Sequence, residues 1–248
     1  MRQGTFEPEL DFAPRRRGDA TWRGGWTAPW TRAFKAARGL LVLGALITIA
    51  SPALARPLRV VALGDSLTAG YGVAPAEAFP AQLQAALRAR GHDVLVENAG
   101  VSGETATQGL ARLDWSVPEG TDAVIVALGA NDMLRGLPPK VTRAALTQIV
   151  ERLKGRGVKV LVAGMRASPN LGAAYAGAFD PIFPEVAQQQ GVLLYPFFLD
   201  GVAGMAALNQ KDGLHPNPRG VALMVDGILP VAEELLGQVA GAGSPPAR

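Results

Sequence analysis

Leu58-Arg59-Val60-Val61-Ala62-Leu63 runs directly into Gly64-Asp65-Ser66-Leu67-Thr68-Ala69-Gly70-Tyr71-Gly72. The first six residues are short, apolar and rich in valine and leucine, the composition of a buried strand. The nine that follow are polar and punctuated by glycine. α/β proteins put phosphate-binding loops and catalytic nucleophiles at that position, just past a strand's carboxyl end. The segment therefore poses a choice between a ligand cradle and a reactive serine.

The rest of the chain supplies the frame. Leu58–Leu63, Val94–Glu97, Ala123–Leu128, Val158–Ala163 and Val192–Tyr195 read as buried strands. Pro80–Arg90, Thr105–Leu113, Lys140–Lys154, Ala173–Gln190 and Pro218–Leu236 read as helices. Within Pro80–Arg90, Leu83, Ala86 and Leu87 recur at helical spacing and mark one apolar face. Gly91, Gly155 and Gly191 stand just past three of the helices, where a left-handed cap is wanted. Strands alternating with helices predict a parallel sheet covered on both faces.

Length and charge bound the class. With 248 residues, 48% of them hydrophobic, the chain is long enough for one substantial core. It has no cysteine, which excludes thiol nucleophiles, cysteine-based zinc sites, disulfides and lipobox acylation. Residues 1–55 hold 8 of the 24 lysines and arginines and 4 of the 21 acidic residues, leaving 16 basic against 17 acidic groups. The basic excess thus belongs to the leader and gives no support to nucleic-acid binding.

That leader has the parts of a secretory signal peptide. Arg32, Lys35 and Arg38 precede an apolar run from Gly39 to Ala50, and Ala53-Leu54-Ala55 supplies an A-x-A cleavage pattern. The apolar run is too short to span a bilayer comfortably. The reading is a signal peptide over 1–55, a folded domain over 56–239 and a disordered tail over 240–248. The mature protein then begins near Arg56, is periplasmic or secreted, and keeps no stable membrane anchor. A stretch of 38 residues with Glu7, Glu9 and Asp11 precedes the apolar run. It reads as a long n-region or as a start site placed too far upstream.

Four polar clusters follow strands on this frame: Gly64–Gly72, Asn98–Thr105, Gly129–Asp132 and, after a longer loop, Asp212–Asn217. All lie beyond strand carboxyl ends, the rim where open α/β sheets bind ligands. The cradle is disfavoured because Gly64–Gly72 has neither the Gly-x4-Gly-Lys-Ser/Thr nor the Gly-x-Gly-x-x-Gly spacing, and no lysine lies near it. Flavin phosphate binding stays open, with nothing to select it.

A reactive serine needs a base, and the chain has only His92 and His215. His92 sits in a helix-to-strand turn on the opposite rim and reads as a solvated turn residue. His215 is on the active rim, and Asp212 is placed to fold back across the turn and orient its ring. Three donors are candidates for a developing oxyanion: the N–H of Ser66, the N–H of Gly103 and the side-chain amide of Asn131. Asp132 reads as a helix N-cap.

GDSL after the first strand, a glycine after the second, G-x-N-D after the third and D-x-x-H near the carboxyl end together resemble the four blocks of the GDSL, or SGNH, hydrolases. GDSLTAGYG, SGET, GANDMLRGLPP, YPFF and DGLHPN are most similar to the bacterial periplasmic acyl-CoA thioesterase I, lysophospholipase L1 and arylesterase group. The resemblance implies a flavodoxin-like three-layer α/β/α sandwich with a five-stranded parallel sheet. It implies Ser66 as nucleophile, His215 as base, Asp212 as its orienter, and Ser66, Gly103 and Asn131 as the oxyanion hole. No metal or cofactor is expected for this chemistry.

No Gly-x-Ser-x-Gly occurs, so the serine is expected in a softer turn at a helix start. The expected activity is hydrolysis of small acyl or aryl esters or thioesters through an acyl-Ser66 intermediate. A carbohydrate O-acetylesterase on the same machinery is the alternative, and a non-catalytic binding protein of the same fold a weaker one. Tyr195–Leu199, Val202 and Met205 are candidates for an acyl or aryl pocket, with buried core as the competing role, and Met165–Gly172 for its wall. Trp115 is expected to pack beneath a loop.

Overall fold

The computed structural model describes residues 56–242. The signal peptide expected over 1–55 and the last six residues of the tail lie outside the described residues.

Five strands form one sheet: β1 (Leu58–Gly64), β2 (Val94–Gly100), β3 (Ala123–Ala127), β4 (Lys159–Ala163) and β5 (Leu193–Tyr195). All neighbours pair in parallel, in the order β2-β1-β3-β4-β5. This is the flavodoxin-like order expected. The chain first steps from β1 to β2 and then reverses toward β5. Right-handed crossovers in opposite directions put their helices on opposite faces.

The helices are α1 (Ser66–Ala69), α2 (Phe79–Ala89), α3 (Ala106–Ala111), α4 (Leu113–Ser116), α5 (Ala130–Leu134), α6 (Pro139–Gly155), α7 (Gly172–Phe179), α8 (Ile182–Gln190) and α9 (Pro218–Ala242). On one face α2 packs with α9; on the other lie α3, α6 and α8. In α6, Thr142, Ala145, Leu146, Ile149, Val150 and Leu153 are all buried, the three-and-four spacing of a stripe turned to the sheet. β3, covered on both sides, is buried along its whole length, whereas Leu95 on the edge strand β2 is exposed.

Four sequence expectations change. Gly155 does not cap the helix before it but is the last residue of α6, and the left-handed turn falls at Gly157, φ +76°. The helix read as Ala173–Gln190 is two helices, parted at Asp180-Pro181. Pro181 has no amide hydrogen for the Gly177 carbonyl, and the Asp180 carboxylate turns away to accept the Ala167 N–H at 2.7 Å. Trp115 does not pack under a loop but is 81% exposed. In the single turn of α4, Leu113 and Ser116 take the inward positions and Trp115 is left outside. The last helix continues to Ala242, so the first three residues of the expected tail are helical.

Two glycines seat the loop after β1. A methyl group at Gly100 would stand 2.2 Å from the Ala69 backbone nitrogen, and one at Gly64 would stand 2.1 Å from Thr68 Oγ1. Neither fits, so the absent side chains let α1 lie directly on the ends of β1 and β2. That contact puts Ser66 on the carboxyl rim of the sheet.

Candidate active site

Ser66 is the first residue of α1, the softer turn expected in place of a strained elbow. Asp65 is the helix N-cap, its Oδ1 accepting the Leu67 N–H at 3.0 Å. Its other oxygen accepts from Asn131 Nδ2 at 3.1 Å. Asp65 is fully buried, and burial pushes its carboxyl up to about 6 against the opposing pull of these two donors. An aspartate immediately before a helix start is itself a cap signal, so this role was available from sequence.

His215 lies between the other two groups. Its Nε2 is 2.9 Å from Ser66 Oγ and its Nδ1 is 2.7 Å from Asp212 Oδ2. Asp212 folds back as expected, in an Asx turn whose Oδ1 accepts the N–H groups of Leu214 and His215, each at 3.0 Å. The His215 backbone N–H, the His215 ring and the Leu214 N–H hold the Asp212 carboxyl down at about 2. An ionised Asp212 favours the proton on Nδ1 and leaves the Nε2 lone pair facing the serine hydroxyl.

The loops carrying these groups are stapled together by a residue the sequence did not single out. Gln210 Nε2 donates to the carbonyls of Tyr71 at 2.6 Å and Pro216 at 3.0 Å, and its backbone N–H donates to His215 O at 2.7 Å. The ring of Tyr71 lies 4.6 Å from the imidazole, centroid to centroid. Gln210 and Tyr71 are 139 residues apart, and no local pattern announces the pair.

The three donors proposed for an oxyanion differ in state. The Ser66 N–H heads α1 and has no intrahelical acceptor. The Gly103 N–H has no acceptor among the described residues. Gly103 adopts φ +83°, and a Cβ there would approach only Arg135 Nη2, at 3.8 Å. Its glycine is required by backbone conformation rather than by lack of room. Asn131 Nδ2 already donates to Asp65 Oδ2 and, at 3.0 Å, to Glu104 O. With both amide hydrogens engaged, donation to an oxyanion must share or exchange one of these bonds.

Asp132 caps a helix other than its own. Its Oδ2 accepts the Ala106 N–H at 2.8 Å, heading α3, while Thr142 Oγ1 donates to Oδ1 at 3.0 Å. Arg112 is a second residue missed from sequence. It pairs with the Glu104 carboxylate and donates to Gly64 O at 3.0 Å, tying the end of β1 to the loop that bears Gly103. His92 stands on the far rim as expected, but it is half-buried and lies 3.4 Å from Glu233 rather than free in solvent.

A groove of about 520 Å³ reaches the histidine loop, walled by Met165, Pro169, Phe197 and Leu199 and by Gly213-Leu214 next to His215. Phe198 and Val202, also candidates for a pocket, are instead fully buried core, and Met205 is exposed. Among the described residues no group of histidine, aspartate and glutamate side chains has the arrangement of a metal site. No helix among them is long and apolar enough to cross a membrane.

A hydroxyl, an imidazole and a carboxylate in line at the ligand-binding rim of an α/β sheet form the arrangement of a serine hydrolase. Residues 62–223 match the GDSL-like lipase/acylhydrolase family, and the chain belongs to it. Esterase TesA of Pseudomonas aeruginosa is 37% identical over 202 residues, which cover 80% of this chain and 100% of that one. Thioesterase 1/protease 1/lysophospholipase L1 of Escherichia coli K12 is 39% identical over 62% of this chain and 74% of that one. The crystal structure of AlinE4, a SGNH-hydrolase family esterase, matches with a TM-score of 0.62 and 42% identity, covering 74% of this chain and 98% of that one. The fold is that of the SGNH hydrolases, and the protein is an ester hydrolase of this family.

Proposed function

We propose that the protein is an exported serine esterase that cleaves carboxylic esters or thioesters of modest acyl or aryl groups through an acyl-Ser66 intermediate. The observation that carries this reading is the line from Ser66 Oγ through His215 to Asp212, at 2.9 and 2.7 Å.

His215 Nε2 takes the hydroxyl proton as Oγ bonds to the substrate carbonyl carbon, and the carbonyl electrons move onto its oxygen. The N–H groups of Ser66 and Gly103 and the Asn131 amide receive that oxyanion. The intermediate collapses, the bond to the leaving oxygen or sulfur breaks, and imidazolium returns its proton to the departing group. Water, deprotonated by the same Nε2, then attacks the acyl-serine carbonyl and releases the acid. No redox partner is needed, and every proton removed is returned.

The apolar groove supports acyl or aryl substrates over acetylated sugars. Across 4-nitrophenyl acetate, butyrate, octanoate and palmitate, kcat/KM is expected to peak at an intermediate chain length. A preference for acetate together with faster turnover of acetylated sugars would move the assignment to a carbohydrate O-acetylesterase. The ester and thioester classes named for the bacterial relatives support both leaving groups here. Export rests on the charged, apolar and A-x-A segments before Arg56. Amino-terminal sequencing of the protein from an expressing bacterium should start at Arg56; an uncleaved leader would overturn the export reading.

A further inference from the structure

We propose that Arg166 selects substrates bearing an anionic group, a carboxylate or a phosphate, close to the scissile ester. The proposal rests on the serine-esterase reading above and adds a determinant of substrate class to it. Arg166 is the one charged side chain lining the groove that reaches the histidine loop. Its guanidinium carbon lies 5.1 Å above the centre of the Phe197 ring. Arg56, Arg59, Arg90, Arg112, Arg143 and Arg152 each face a carboxylate. Arg166 forms no ion pair with any of the described residues, and Arg135, which also forms none, instead spends its guanidinium on Gly103 O at 2.6 Å.

Stacking occupies the face of a guanidinium and leaves its N–H donors, which lie in the plane, pointing outward. The ring beneath also fixes the orientation of the side chain, so less freedom is lost when an anion binds. Apolar walls lower the local screening and strengthen attraction for an incoming charge. A carboxylate or phosphate oxygen pair matches the fork of donors.

Gly213-Leu214, directly before His215, line the same groove as Arg166, so a substrate that occupies the groove from Ser66 meets Arg166. The anion can belong to the acyl chain or to the leaving group, and two matched pairs of substrates separate these sources. For the acyl side the pair is mono-4-nitrophenyl suberate and its neutral methyl ester. For the leaving group it is butyryl-coenzyme A and S-butyryl-N-acetylcysteamine, which has the same thioester without the phosphates.

In one pair the native protein is expected to favour the anionic member in kcat/KM by about tenfold, the scale of one charge-assisted hydrogen bond. Arg166→Gln should slow the anionic member about tenfold more than the neutral one, and Arg166→Lys should restore part of the preference. The pair that responds identifies which side carries the charge. No preference in either pair, or an equal loss on both members in Arg166→Gln, would overturn the proposal. Hydrolysis of the neutral members and its loss in Ser66→Ala report the serine-esterase reading independently.

Discussion

Ser66→Ala is expected to lower kcat on 4-nitrophenyl butyrate by on the order of 10⁶-fold, the loss typical when a serine–histidine unit is broken. In the proposed mechanism Oγ is the atom that bonds to the acyl carbon, and that role has no second candidate at the rim. Its hydrogen bond to His215 Nε2, at 2.9 Å, is the route that mechanism gives the proton. His215→Ala should cost about as much, and the double variant little more, because each change disables the same step. Additive losses would mean that the two residues act separately. The serine side chain is small and half-buried, so the melting temperature of Ser66→Ala should stay close to that of the native protein. A fluorophosphonate should add one adduct mass to the native chain, mapped to Ser66, and none to the variant. Retention of full activity by Ser66→Ala would remove the nucleophile assignment outright.

Asp212→Asn carries the second largest expectation, a fall in kcat of roughly 10⁴-fold at neutral pH. The native carboxylate uses Oδ1 for two backbone N–H groups and Oδ2 for the imidazole. In the amide, the remaining oxygen is drawn to the two N–H groups, and the NH2 then faces Nδ1. A donor there makes Nδ1 the acceptor and moves the ring proton to Nε2, where it blocks the serine hydroxyl. Nitrogen NMR of the imidazole should report that change of tautomer. A loss smaller than tenfold would show that Asp212 is not the orienting group.

The pH dependence follows from the same contacts. The Asp212 carboxyl is held at about 2 in the folded protein, below its ordinary value of 3.8. Stabilisation by its ionised form is therefore present above pH 3.8 and is lost as pH falls toward about 2. The stability difference between the native protein and Asp212→Asn should shrink as pH falls across that acid window. Asp212 remains charged at neutral pH, so an acid limb in activity above pH 4 reports a different group.

Much of this site is written locally. Asp212 and His215 are three residues apart on one turn, and a chain with two histidines offers one partner for a serine on that rim. Strand-like runs alternating with helices, each polar cluster after a strand, are enough to predict the sheet and the rim. Such features depend on spacing along the chain, which side-chain periodicity exposes directly.

Other features depend on contacts between distant segments, and no local pattern encodes them. Gln210 reaches Tyr71, Arg112 reaches Gly64 and Asp132 caps α3 from the start of α5. Arg166 stands alone on Phe197 because of what the neighbouring loops do not supply. Trp115 is exposed because its one-turn helix gives the inward positions to Leu113 and Ser116. The sequence by itself determined the class of fold, and it singled out Ser66, Asp212 and His215 as the groups that meet on one rim. Only the tertiary structure decided how Asn131 spends its two donors, what pins the histidine loop and which walls meet an incoming substrate. Those are matters of packing and hydrogen-bond competition among segments that become neighbours only after the chain has folded.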